Sequence, residues 1–310
     1  MPLPITGLHH VTAIASDAQG NNDFFTRILG LRRVKKTVNF DAPDTYHLYY
    51  GDAVGTPGSV MTYFPFAGAV AGRPGTGEVG QTVFSVPQGA LGYWAERFAA
   101  KGIRGVKETV LFGEMQLRFA GPDGDGFALV EGDGDPRPGW TGAGVGAAEA
   151  IHGFHSATLR LRDGAATGEL LEFMGYENLG QDGTVTRYAL TRGNGAQVVD
   201  VLVAPGLPRA GQGAGSVHHI AFSTPDRAAQ LTVRKALLDT GYQVTPVIDR
   251  DYFWAIYFRT PGGVLFEVAT AEPGFDRDEA PAHLGEKLKL PTQHEALRAR
   301  IEAQLPPITD

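Results

Sequence analysis

Two adjacent histidine pairs stand at the head of matching phrases. One reads His9-His10-Val11-Thr12-Ala13-Ile14-Ala15-Ser16-Asp17, the other His218-His219-Ile220-Ala221-Phe222-Ser223-Thr224-Pro225-Asp226. Each runs through an apolar strand to an Asp placed to cap a helix. A second matched phrase closes each unit, Pro57-Gly58 to Tyr63 in the first and Pro261-Gly262 to Glu267 in the last. Glu267 sits in the apolar run Val264-Leu265-Phe266-Glu267-Val268, where a buried carboxylate is costly unless paired or metal-bound. Two His and one Glu delivered by repeated strands are the donors of a 2-His-1-carboxylate metal site, which leaves positions open for substrate chemistry. They point to a mononuclear metalloenzyme.

The elements that must position these residues also repeat. A strand, a capped helix and three further strands can be read four times along the chain, and such repetition marks a repeated architecture. The first strands are Ile5–Ala15, Thr82–Val86, His155–Leu161 and His218–Ser223. The helices are Asp17–Leu29, Ala90–Ala100, Ala165–Met174 and Arg227–Thr240, each ended by a glycine. The last strands are Ser59–Phe64, Gly126–Glu131, Gln197–Val203 and Val264–Ala269, and Gln243–Asp249 is a further strand of the fourth unit. The expected fold class is α+β: four βαβββ modules in two halves, pairs of modules forming cupped mixed β-sheets around a metal-binding cavity. The halves are 1–135, with modules at about 5–66 and 80–132, and 150–272, with modules at about 151–204 and 216–270. A tail, 273–310, holds a helix near Gln293–Leu305 that packs on the body or on a second subunit. Linkers rich in Gly, Ala and Pro fall at 67–80, 132–148 and 204–215.

Aligning the modules by their own marks places His10, Gln81, His155 and His219 at one position of the first strand. Tyr63, Ala128, Asp200 and Glu267 fall at one position of the last. If the first and fourth modules share a cup, His10, His219 and Glu267 form a three-ligand face with Tyr63 as a pocket wall. If the third and fourth share it, His155, Asp200, His219 and Glu267 form a four-ligand site suited to Lewis-acid chemistry. Spacing alone leaves both open. Strict alternation points His9 and His218 away from the cup and Thr12 into it. His47, His152, His283 and His294 read as structural or solvated. Asp123-Gly124-Asp125-Gly126 resembles the start of a calcium loop, but Phe127 stands where a third oxygen ligand is needed, so it reads as a tight turn. Gly142–Gly146 reads as linker, not as a nucleotide loop.

Composition narrows the classes. The chain has 310 residues, a net charge of -7 and no long basic run, which argues against nucleic acid as a partner. It has no cysteine, which excludes thiolate catalysis and disulfides and permits a cytoplasmic location. MPLPITGLHH lacks the basic and apolar regions of a signal peptide, and no apolar stretch approaches the roughly 20 residues of a membrane span.

The phrases GLHHVTAIASDAQGNNDFF, YHLYYGDAVGTPGSVMTYFPF, GFHSATL, SVHHIAF and YFRTPGGVLFEVAT run from about Gly7 to Thr270. They resemble the vicinal oxygen chelate superfamily of glyoxalases, bleomycin resistance proteins and extradiol dioxygenases. Within it they resemble the four-module ring-cleaving hydroquinone and dichlorohydroquinone dioxygenases. The resemblance implies iron(II) held by His10, His219 and Glu267, and so favours the pairing of first and fourth modules; manganese suits the same donors. It also implies active-site roles for His9, Thr12, His218, Arg250 and Tyr257. His9 or His218 would act as acid or base, and Tyr257 or Arg250 as hydrogen-bond donors to developing charge. The implied partners are a small aromatic substrate and O2, with no nucleic acid and no membrane; a homo-oligomer is compatible. The competing activities on the same fold are a glyoxalase-like metal-dependent isomerase or lyase, and a non-catalytic small-molecule binding or resistance protein.

Overall fold

A computed structural model describes residues 2–132 and 134–309; Met1, Asp133 in the central linker and Asp310 lie outside the described residues. The first module comprises β1 (Leu8–Ala15), α1 (Ala18–Asp23) with a π turn at Phe24–Ile28, β2 (Arg32–Val38), β3 (Tyr46–Gly51) and β4 (Val60–Pro65). The second comprises β5 (Glu78–Val86), α2 (Leu91–Ala100), β6 (Lys107–Leu111), β7 (Glu114–Ala120) and β8 (Gly126–Glu131). The third comprises β9 (Gly153–Leu161), α3 (Ala165–Phe173), β10 (Glu177–Asp182), β11 (Val185–Ala189) and β12 (Val198–Val203). The fourth comprises β13 (Val217–Thr224), α4 (Arg227–Asp239), β14 (Ile248–Asp249), β15 (Phe253–Arg259) and β16 (Leu265–Pro273). The two capping aspartates do what their spacing predicts: Asp17 accepts from the backbone N–H of Gln19 and Gly20, and Asp226 from that of Ala229. No helix among the described residues is long and apolar enough to cross a membrane.

The modules pair in a nested order. One eight-stranded sheet runs β14-β15-β16-β13-β1-β4-β3-β2 and joins the first and fourth modules; the other runs β10-β11-β12-β9-β5-β8-β7-β6 and joins the second and third. The linkers flanking the inner pair meet as well, with Ala71 bridged to Ala214, Arg73 to Gly211 and Thr76 to Arg209. An aromatic core closes the space between the first two modules: Phe25 lies 5.0 Å from Tyr63 and 5.9 Å from Phe127, and Phe24 lies 6.1 Å from Phe127.

At the centre of each sheet two antiparallel strands meet, and each carries one bulge. Leu8 pairs with Phe222 and His10 with Ala221, so His9 is the extra residue on β1; Thr12 pairs with His219 and Ala13 with Val217, so His218 is the extra residue on β13. The second sheet repeats the device with Gly80 on β5 and His155 on β9. A bulge re-aims side chains and breaks the two-residue alternation. The alternation that would turn His9 and His218 away from their neighbours therefore fails.

The register also corrects the alignment of the modules. His155 is the counterpart of His218, and Ser156 that of His219. Glu267 lies opposite Ala221, Asp200 opposite Thr158, Ala128 opposite Val83 and Thr62 opposite Thr12. Thr62, not Tyr63, is thus the first-module counterpart of Glu267. The equivalent register position falls five residues after Pro57, at Thr62, and six after Pro261, at Glu267, so counting from the prolines slips by one. Tyr63 is no pocket wall; it points to the opposite face and donates to the buried Asp125 carboxylate. Two expected elements are shorter than their patterns. Gln243–Asp249 is strand only at Ile248–Asp249, because Pro246 offers no N–H and Thr245 bonds Tyr257 through its hydroxyl. The tail helix divides into a 3-10 turn at Thr292–Leu297 and α5 (Arg298–Gln304).

The tail packs on the body of its own chain. Fully buried Lys35 on β2 bonds Asp278 at 2.6 Å and Glu279 at 2.5 Å, both tail residues. Beside them Phe275 and Leu284 join Val60, Tyr49 and Phe253 in an apolar cluster that fills one part of the first sheet's cup.

Asp125 gives a pH test of this core. Burial raises its carboxyl to about 6, against the opposing hydrogen bond from Tyr63, and its Oδ1 has no partner. Between the ordinary Asp value and about 6 the folded state therefore holds a proton that the unfolded chain has released. Its stability contribution is complete below the ordinary Asp value and is lost as pH rises through about 6. The loss is on the order of 3 kcal/mol at most. Asp125→Asn should therefore stabilise the protein by roughly 2–3 kcal/mol in urea unfolding at pH 8, and the gain should shrink towards nothing near pH 4. A gain independent of pH would contradict the assignment.

Candidate metal centre

Three neighbouring strands at the middle of the first sheet, β16, β13 and β1, deliver Glu267, His219 and His10 to one point. All three side chains are buried. His219 Nε2 lies 2.8 Å and His10 Nε2 3.3 Å from Glu267 Oε2, and the two ring nitrogens are 3.2 Å apart. Neither oxygen of Glu267 is met by a well-aligned hydrogen bond. Burial pushes the Glu267 carboxyl up, and His10 and His219 pull it down further, so it stays ionised well below the usual range. A buried carboxylate without a well-aligned donor, facing two imidazole nitrogens, is a donor set that a divalent cation would satisfy. Donors held at about 2.1 Å by one divalent ion lie about 3 Å from each other, which is the spacing seen. The residues fit a metal.

The proton positions around the centre follow from the partners. His9 Nε2 lies 3.1 Å from the backbone carbonyl of Thr270, which can only accept, so this nitrogen carries hydrogen. Burial first, and His10 next, lower His9 to about 3, so the ring is neutral and its Nδ1 is an acceptor. His10 Nδ1, 2.9 Å away, must then donate to it, which leaves the His10 lone pair on Nε2, facing Glu267 and His219. The fourth module repeats the contact: His218 Nδ1 and His219 Nδ1 are 2.8 Å apart, and burial, then His219, lowers His218 to about 4. With His219 presenting Nε2 to the centre, the His218 N–H is on Nε2. Such Nδ1 contacts between consecutive residues exist only because each pair straddles a bulge.

The centre opens into a cavity of about 330 Å³. A cavity of about 150 Å³ holds benzene, so a substituted single ring fits here. Phe40, Phe64, Phe66, Phe253 and Leu265 make it apolar, and His47, Tyr49, His218, Arg250 and Tyr257 supply its polar groups. Tyr257 stands opposite Glu267 on β15, with its ring 5.7 Å from that of His219. Arg250 Nε donates to the Tyr257 hydroxyl at 3.3 Å, its Nη1 reaches Asp41 at 3.3 Å, and Phe40 and Tyr257 flank its guanidinium.

Not every expected residue reaches the cavity. His9 lies behind His10, and Thr12 lies beneath it, its hydroxyl 2.9 Å from that of Thr62. His155 and Asp200 belong to the other sheet. There Arg187 clamps Asp200 through two bonds of 2.8 and 3.0 Å, and Glu114 lies 3.4 Å from His155. Among the described residues, the metal-type donors that converge are those of His10, His219 and Glu267. His47, read as structural or solvated, is instead a cavity residue, and Tyr49 beside it was not singled out. The signal was present in Tyr-His-Leu-Tyr-Tyr: Tyr46, Leu48 and Tyr50 pack into the main core, and His47 and Tyr49 take the other face.

Comparisons with known proteins give the family and the fold. The model of the glyoxalase/bleomycin resistance protein/dioxygenase superfamily matches residues 7–129 and 126–268. MhqO of Bacillus subtilis (strain 168), whose name assigns it provisionally to the ring-cleaving dioxygenases, is 44% identical over 97% of this chain and 96% of its own. A chlorohydroquinone/hydroquinone 1,2-dioxygenase of Sphingobium indicum is 36% identical over 97% of this chain and 96% of its own. A crystal structure of a provisionally named dioxygenase from Bacillus subtilis subsp. subtilis str. 168 superposes with a TM-score of 0.96 at 43% identity, covering 99% of this chain and 98% of that one. Glyoxalase I from Zea mays shares the fold, with a TM-score of 0.64 at 14% identity over 86% of this chain and 92% of its own.

The geometry makes a stability prediction that needs no substrate. A divalent ion that relieves three crowded buried donors binds the folded state alone and raises the melting temperature. Iron(II) or manganese(II) added to metal-stripped protein under anaerobic conditions should raise it by several degrees, and a chelator should reverse the rise. Glu267→Ala should abolish the shift and His155→Ala should keep it. An equal shift in the Glu267 variant would place the ion elsewhere.

Proposed function

Because the chain belongs to the glyoxalase/bleomycin resistance protein/dioxygenase superfamily, we propose that it is a ring-cleaving dioxygenase. It opens a hydroquinone-like aromatic with O2, in the extradiol manner, at iron(II) held by His10, His219 and Glu267. The observation that carries this reading is the buried carboxylate of Glu267, without a well-aligned hydrogen-bond donor and beside two imidazole nitrogens, at the wall of an apolar cavity large enough for a substituted ring. Three protein donors leave room for both a substrate oxygen and dioxygen. A four-ligand isomerase site finds no support: its fourth corner is Thr62, whose hydroxyl is engaged by Thr12 and His47.

His10, His219 and Glu267 would hold the iron, which would supply an electron path between a ring oxygen and O2. The rest falls to the chain. Both oxygen atoms enter the product, and the ring carbon–carbon bond beside a hydroxylated carbon breaks. The apolar walls of Phe40, Phe64 and Phe253 hold the ring flat and keep bulk water away. His218, which lines the cavity and has its N–H on Nε2, would serve as a hydrogen-bond donor or acid to an oxygen there. Tyr257 keeps its proton, since burial first and Glu267 next push its phenol well above the ordinary value. It is therefore a donor to negative charge, with Arg250 polarising its oxygen. His9 is a positioning residue that fixes the tautomer of His10, and Thr12 positions His47 through Thr62.

Anaerobic loading with iron(II), followed by oxygen uptake on adding hydroquinone, methylhydroquinone, chlorohydroquinone or catechol, tests the proposal. Uptake should match a ring-opened absorbing product, with a para-diol preferred over catechol. His10→Ala should abolish it and His155→Ala should leave it within about twofold. His9→Ala should weaken metal binding about 10- to 100-fold in a chelator competition, since it removes the group that orients a ligand. Iron demonstrably bound with no uptake from any of these rings would sink the reading.

A further inference from the structure

The strands flanking the ligand-bearing strands put polar groups on facing walls of the cavity. One wall, formed by β15 and the turn before it, carries Tyr257 and Arg250. The other is β3, two strands beyond His10 in the sheet, and it carries His47 and Tyr49. The metal centre does not use these two. Tyr49 Oη lies 2.8 Å from His47 Nδ1, His47 Nε2 lies 2.8 Å from Thr62 Oγ1, and Thr62 Oγ1 lies 2.9 Å from Thr12 Oγ1. Phe275 of the tail braces the Tyr49 ring at 5.1 Å. The chain of bonds ends at Thr12, which is fully buried. It has no outlet to water, so it holds a group in place and does not carry protons away.

The same four groups can be bonded in two senses. Tyr49 can donate to His47, which donates to Thr62, which donates to Thr12; the Tyr49 oxygen then offers lone pairs to the cavity. Reversed, Thr12 donates to Thr62, Thr62 to His47 and His47 to Tyr49, whose hydroxyl hydrogen is then free for the cavity. No heavy atom moves and no proton enters or leaves. Tyr49 can therefore meet a hydroxyl as acceptor or a carbonyl oxygen as donor. An apolar group in the same place would leave the cavity-facing side of the Tyr49 oxygen without a partner, though its bond to His47 stays, and that unmet valence disfavours such a ligand.

We propose that Tyr49, oriented by His47, binds the ring oxygen remote from the metal and so sets the requirement for a second oxygen across the ring. The proposal rests on the ring-cleaving reading and names the specificity determinant of that site.

The test is calorimetric binding to the iron(II)-loaded protein without oxygen, comparing hydroquinone with 4-methylphenol, which keeps one hydroxyl and replaces the other by methyl. The natural protein should bind hydroquinone about tenfold more tightly. Tyr49→Phe should erase this preference while holding 4-methylphenol within about twofold, and His47→Leu should narrow it. A preference that survives Tyr49→Phe overturns the assignment, as does an equal loss of both ligands in both variants with iron content intact. Either result leaves the ring-cleaving reading standing if the natural protein still takes up oxygen. A natural protein that binds neither phenol overturns that reading and the assignment together.

Discussion

Everything at the centre depends on the antiparallel pairing of β1 with β13, and on the single bulge that each of these strands carries. A regular pair would send His9 and His10 to opposite faces, and likewise His218 and His219. The added residue lets each ring touch its neighbour through Nδ1, so that each Nε2 is left bare and aimed inward. Because the two strands run in opposite directions, one local geometry used twice brings two imidazoles together at 3.2 Å. Glu267 then needs only the parallel ladder from β13 to β16 to arrive beside them.

The second sheet shows what the backbone alone achieves. It has the same strand order and the same two bulges, yet the equivalent positions hold Gln81, Ser156 and Asp200. Asp200 is as buried as Glu267 and faces the same electrostatic problem. There the answer is Arg187, at the register position that Tyr257 holds in the first sheet, clamped to Asp200 and stacked 4.3 Å from Phe112. A buried carboxylate requires a counter-charge, and the two cups satisfy that requirement differently. One supplies the cation covalently, as a side chain. The other presents a donor set that an ion from solution would fit.

Much of this could be read from the residues. The helix-capping aspartates, the terminating glycines and the Pro-Gly turns mark the four modules, and the His pairs with Glu267 mark the donors. The pairing of modules is a long-range choice that no local pattern encodes, so spacing could not separate His10 from His155. Bulges and turn lengths are equally invisible: one residue in the turn after Pro261 exchanged Thr62 for Tyr63, and one on β9 exchanged Ser156 for His155. His47 escaped because it has no counterpart in sequence among the other modules. Its role comes from the side of β3 on which it lies, and that side is fixed by a tertiary core formed around Tyr46, Leu48 and Tyr50.

The nested pairing also orders the assembly of the molecule in time. During synthesis the inner sheet can close as soon as β12 has been made, because all its strands lie between Glu78 and Val203. The outer sheet cannot: β1 must wait for β13, and the partner of His10 is 209 residues away. Until then β1 is an apolar strand with one edge unpaired, the kind of edge that invites pairing with the wrong chain. If the inner pair closes first, the bridges between its two flanking linkers shorten the loop that β1 and β13 must close. The inner sheet, in which no metal-type donor set converges among the described residues, would thereby act as the jig on which the outer sheet is built.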